Sequence, residues 1–209
     1  LMDHGLLFGG TWCLDFGIQF TLGMPTQFEM DLKSNPTLRE NTAEPKRAFG
    51  AHKIATVLRR NGWDIEVFDY MTSFTLEELQ RIASAKINKN TKFIGFSVFT
   101  LIKSVDAVET LNEFVEWLKQ EYPHIPTIAG GQHYGSTRCV NAEYHVVGFG
   151  ESAILEFVQF IQGRGKILNW QNTPDGHKML KANEHHPAFY QDTMRIIYEE
   201  RDHIESSET

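Results

Sequence analysis

The feature that most constrains this chain is a repeated switch between two apolar periods. Short β-branched and aromatic runs, Asp64 to Tyr70 (DIEVFDY) and Lys92 to Val98 (KFIGFSV), are separated by segments whose apolar residues recur at helical spacing. A period near two buries alternate residues of a strand, and a period near 3.6 buries one stripe of a helix. The helical segments run from Ala48 to Arg60, Thr75 to Ala85, Val105 to Tyr122 and Ser152 to Gln162. Asn61-Gly62 stops the first of them, Thr75 with Glu78 three residues on forms a capping box, and Pro123 and Pro126 close the third. A first strand and its turn are expected over Gly5 to Trp12, closed by two glycines, and further strands at Thr127 to Ala129 and Tyr144 to Val147. Strands alternating with helices imply right-handed βαβ units and a parallel sheet.

The expected fold class is therefore α/β, a flavodoxin-like, doubly wound, five-stranded parallel sheet over residues 1–162. Residues 13–44, with Pro25 and Asn35-Pro36 and mixed polarity, read as a long loop insertion. Beyond Gly163-Arg164-Gly165 the chain turns polar, and residues 163–209 read as an extended linker or arm.

Composition excludes several classes. A formal net charge of −7, with Lys and Arg scattered, leaves no basic excess to displace counterions from nucleic acid. No run approaches the roughly 18 apolar residues of a membrane span, and the start lacks a signal peptide's pattern. Two cysteines, Cys13 and Cys139, make neither a disulfide framework nor an all-cysteine metal site. A cytoplasmic protein with no nucleic-acid or membrane partner is the expectation.

In open parallel sheets ligands bind beyond the carboxyl ends of the strands, where strand order reverses. Four loops reach that edge: Gly9-Gly10-Thr11, Ser97-Val98-Phe99-Thr100, Gly130-Gly131-Gln132-His133 and Gly148-Phe149-Gly150-Glu151. Glycine lets a ligand approach the main chain, and small hydroxyls add hydrogen-bonding groups. The last loop, continued through Ser152-Ala153, also matches Gly-x-Gly-x-x-Ala, a dinucleotide fingerprint. Against that reading, it lies in the last βα unit, and Glu151 puts a carboxylate where a pyrophosphate would rest.

Other side chains have plainer readings. His177, His185, His186 and His203 are irregularly spaced and read as solvated, Cys139 as an ordinary half-buried thiol, and Glu77, Glu78, Glu113 and Glu116 as solvated helix faces.

The ordered series is more specific than any one loop. Gly50-Ala51-His52-Lys53-Ile54-Ala55, ending in Arg59-Arg60-Asn61-Gly62, leads into Ile65-Glu66-Val67-Phe68-Asp69. Then follow Ile94-Gly95-Phe96-Ser97, Pro126 to Gly131, and Val147 to Glu151. Over residues 48–160 this resembles the cobalamin-binding N-terminal domain of radical S-adenosylmethionine enzymes.

The resemblance implies cobalamin as cofactor, its lower axial tail lying along the carboxyl edge. Ser97 to Thr100 would flank the tail, Gly130 and Gly131 would let it pass, Gln132 and His133 would stand at the rim, and Gly148 to Glu151 would close the far side. Two departures shape the expectation. No Asp-x-His-x-x-Gly follows the first strand, which implies base-off cobalamin without an axial histidine. No Cys-x-x-x-Cys-x-x-Cys is present, so an iron–sulfur cluster and S-adenosylmethionine belong to a catalytic domain in cis or trans. The stretch Pro187-Ala188-Phe189 to Arg201-Asp202 resembles the linker into such a domain, and a methyltransferase or a carbon-skeleton rearranging enzyme is the implied class. A free-standing flavodoxin-like binding or regulatory module is the alternative. A flavin-binding domain is a third reading, and a phospho-acceptor is disfavoured because Gly9-Gly10 and Glu151 stand where its acidic pair and lysine should be.

Overall fold

A computed structural model describes residues 2–9, 49–69, 71, 74–98, 105–131, 137–165, 170–174 and 176–181. Its elements in chain order are β1 (His4–Gly9), α1 (Phe49–Arg60), β2 (Asp64–Phe68), α2 (Leu76–Lys86), β3 (Thr91–Ser97) and α3 (Val105–Glu121). They continue with β4 (Thr127–Gly131), β5 (Tyr144–Val147), α4 (Gly150–Ile161), β6 (Trp170–Asn172) and β7 (Lys178–Lys181).

The sheet order is β2-β1-β3-β4-β5-β7-β6. Every pair is parallel except β6 with β7. Alternation along the strands divides the core in two. Leu7, Ile65, Phe93, Ile128 and Val146 face α1 and α4, with Ala55, Leu58, Ile154 and Phe157 packed on them. Leu6, Phe8, Ile94, Phe96 and Ala129 face the opposite way, against Leu79 and Ala83 of α2 and Leu111, Phe114 and Leu118 of α3. The result is a sheet covered by helices on both faces, as a parallel sheet requires.

The sheet has seven strands rather than the expected five. The two additional ones come from the region read as an extended arm. Their brevity explains why: β6 is three residues and β7 four, with a lysine at each end of the latter. β7 pairs with β5, and Leu180 is buried on the α1–α4 face. Trp170 is half-buried, with its ring 5.2 Å from that of Tyr144. The first strand begins one residue earlier than expected, at His4.

Candidate functional site

The chain leaves β1 for β2 on one side and returns past β1 to β3 on the other, so strand order reverses between β1 and β3. In register, Gly9 at the end of β1 stands opposite Ser97 at the end of β3, and Ser97 opposite Gly130. Gly131 pairs with Val147, the last residue of β5. Main-chain bonds then lace the edge beyond the strands. The Val98 N–H donates to the Gly130 carbonyl at 2.9 Å, and the Gly148 N–H to the Gly131 carbonyl at 3.0 Å. The glycines that end β4 thus sit beside the Gly148 turn on one edge.

Glycine has a different physical use at each of three positions. Among the described residues a Cβ on Gly130 would meet nothing within 4 Å, so this main chain borders open space there. Gly148 has φ of 101°, where an L side chain is strained. A Cβ on Gly50, near the start of α1, would lie 3.2 Å from Ser97 Oγ, so this glycine brings α1 close to the end of β3.

Two acid–base pairs fix the amino-terminal half of α1 at the same edge. His52 Nε2 lies 2.7 Å from Asp69 Oδ2, just past β2, with both side chains fully buried. Lys53 Nζ lies 2.6 Å from Glu151 Oε1 in the first turn of α4. Adjacent residues of α1 therefore hold it to β2 on one side and α4 on the other. The Thr56 hydroxyl donates to the His52 carbonyl at 2.8 Å, inside the same turn. Burying polar or charged groups is costly unless they are paired, and breaking either pair leaves a buried group without its partner. Phe149, between Gly148 and α4, is 45% exposed, with Lys53 Nζ 5.8 Å from its ring centre.

Of the residues expected at the edge, Gly9, Ser97, Gly130, Gly131, Gly148, Phe149, Gly150 and Glu151 are at strand ends or in the turn into α4. Val98 supplies main chain there, while its side chain is buried in the α2–α3 core. Gly10, Thr11, Phe99, Thr100, Gln132 and His133 lie outside the described residues. His52, Lys53 and Asp69 received no role from the sequence. The available signal was a histidine beside the apolar stripe Ala51, Ala55, Leu58, and an aspartate directly after the buried pair Val67-Phe68 at the end of β2.

Other histidine readings change too. His177 is half-buried rather than solvated, and its Nδ1 faces the Ala142 carbonyl at 2.9 Å. Glu78 completes the capping box with Thr75, as expected. Cys139 is half-buried, as expected. Among the described residues no group of three or more His, Cys, Asp or Glu side chains could hold a metal ion, and no helix is long and apolar enough to cross a membrane.

Strand order 2-1-3-4-5, helices on both faces and a glycine-lined carboxyl edge define a flavodoxin-like domain, a fold whose ligands bind at the switch point. Within that class, residues 43–158 match the B12 binding domain, and the chain belongs to the B12-binding family. No curated protein and no solved structure matches it.

Cobalamin is accordingly the cofactor. The residues present fit it: open space beside Gly130, small residues at Gly9, Ser97 and Gly131, and buried carboxylates that already have partners in His52 and Lys53. A bulky, mostly uncharged ligand needs such walls, with orientation supplied by a few polar main-chain groups.

Proposed function

We propose that this chain holds cobalamin in its base-off form, without an axial histidine, and presents it to a radical S-adenosylmethionine catalytic domain supplied in cis or trans. When bound, cobalamin supplies a cobalt centre able to make and break a bond to carbon. The chain's own residues bind and orient. Gly130 and Gly131 leave the backbone accessible, Gly148 turns the chain away from the ligand, and the α1 pairs keep Ser97 and its neighbours at fixed spacing.

The observation carrying this reading is the edge itself: Gly9, Ser97 and Gly130 stand side by side at the switch point, with open space beside Gly130. The base-off form is supported by the absence of Asp-x-His-x-x-Gly after the first strand. The catalytic context is supported by the ordered series over residues 48–160 and by the linker-like stretch at residues 187–202. Methyl transfer or carbon-skeleton rearrangement is the reaction class this implies.

The test is spectroscopic. After incubation with hydroxocobalamin and desalting, the protein should retain corrin absorbance with a base-off spectrum. His133→Ala should leave that spectrum unchanged. A spectral change in His133→Ala would establish an axial histidine and overturn the base-off reading. A base-off cobalamin carrier that never associates with a chain or domain carrying Cys-x-x-x-Cys-x-x-Cys would instead be a free-standing binding module.

A further inference from the structure

The segment Gly148-Phe149-Gly150-Glu151-Ser152-Ala153 has the context a dinucleotide fingerprint requires. It follows β5, turns at Gly148 with φ of 101°, and opens α4 at Gly150. No side chain caps that helix, because Phe149 stands at the capping position and offers no acceptor. An uncapped helix start with unsatisfied N–H groups attracts anions. What occupies its first turn is Glu151, only 5% exposed, its carboxylate 2.6 Å from Lys53 Nζ. A carboxylate is an unusual group to bury in a fingerprint whose purpose is to receive a pyrophosphate.

We propose that Glu151 is a specificity-determining residue: its buried carboxylate, held by Lys53, closes the start of α4 to phosphate-bearing ligands and reserves the edge for cobalamin. The carboxylate lies in the first turn of α4 and pairs with the Lys53 ammonium, so an incoming phosphate finds that ammonium occupied and meets a like charge. Dinucleotides and flavin nucleotides are rejected at this corner. This rests on the cobalamin reading for the ligand admitted, but the rejection is measurable without cobalamin.

The experiment is calorimetric titration of the full chain with inorganic pyrophosphate at low and moderate salt. Glu151→Gln is isosteric and releases Lys53. It should bind pyrophosphate at least about tenfold more tightly than the unaltered chain, with affinity falling as salt rises. Glu151→Ala, which buries no amide, is the second variant and should show the same gain. Adding Lys53→Met to either should cancel it. Far-ultraviolet circular dichroism confirms that each variant is folded. If folded Glu151→Gln and Glu151→Ala bind pyrophosphate no better than the unaltered chain, or if the gain survives Lys53→Met, the proposal is wrong. Failure of the unaltered chain to retain cobalamin would count against the cofactor site and leave these anion affinities interpretable.

Discussion

Gly5 and Gly95 carry no chemistry, yet each is fixed by what lies across the sheet. A Cβ on Gly5 would stand 2.5 Å from Cε1 of Phe93, and one on Gly95 would stand 2.6 Å from Cδ2 of Leu7. The Phe93 ring cannot step aside easily, since it is fully buried and meets Trp63 and Phe157 edge-on at 5.7 and 5.8 Å. Gly5→Ala should therefore cost about 1–3 kcal/mol by overpacking. Urea unfolding should show a lower midpoint with an unchanged slope; an unaltered midpoint would mean that the ring relaxes without strain. At this scale Gly9, Gly130 and Gly148 were legible because turn glycines announce themselves at the ends of apolar runs. His52 and Asp69 were not. Their partnership joins a helix to the end of a strand seventeen residues away, and no local pattern encodes that distance.

Among the elements, α2 was the most legible because its start is written in four residues. The Thr75 N–H donates to Glu78 Oε2 at 2.8 Å, and Thr75 Oγ1 accepts from the Glu78 N–H at 3.3 Å. Hydrogen bonds from Thr75, backbone first, hold the Glu78 carboxyl below its ordinary range. Thr75→Ala should destabilise the domain by about 1 kcal/mol, read as a shift of the unfolding midpoint. A shift indistinguishable from zero would show that tertiary contacts alone hold the helix start. Glycine misled at two other boundaries. β4 runs on through Gly130 and Gly131 instead of ending at Ala129, because β3 and β5 pair with it on either side and the ladder outweighs glycine's poor strand propensity. α4 opens at Gly150, two residues before the expected Ser152. A Cβ on Gly150 would lie 3.3 Å from Cδ1 of Ile54, so this glycine lets α4 start hard against α1.

For the whole molecule, the extension of the sheet by β7 and β6 is secured by a pair of histidines. His145 Nε2 and His177 Nδ1 face the same acceptor, the Ala142 carbonyl, at 2.8 and 2.9 Å, so each must carry its proton on that nitrogen. Their rings meet edge-to-face with centroids 4.7 Å apart. Burial, then the facing His177 charge, lowers the His145 pKa below 6.5, against opposing hydrogen bonds to Ala142 and Thr137; Lys119 adds repulsion. The native state thus binds fewer protons here than the unfolded chain. This contribution to stability is complete above about pH 6.5 and is lost as pH falls below it. Unfolding free energy should decline from pH 7 to pH 5, and His145→Gln should flatten that decline. An identical decline in the variant would place the titration elsewhere. Glu66 acts in a separate window. The His4 ring at 3.8 Å and the Lys86 ammonium at 2.9 Å hold its pKa at about 2, so its contribution fades only below pH 4.5.

The sequence by itself determined the doubly wound α/β class, the order of the first five strands and the glycines on their carboxyl edge. All of these follow from local periodicity and turn chemistry, which act within a few residues. Only the tertiary structure decided that short, lysine-flanked β7 joins the sheet beside β5. That strand becomes stable only when its hydrogen bonds and Leu180 are satisfied by neighbours far away in sequence. Only the tertiary structure, likewise, brought His52 to Asp69 and Lys53 to Glu151. The energy of a buried ion pair depends on distance and burial, and neither is fixed until α1, β2 and α4 have packed.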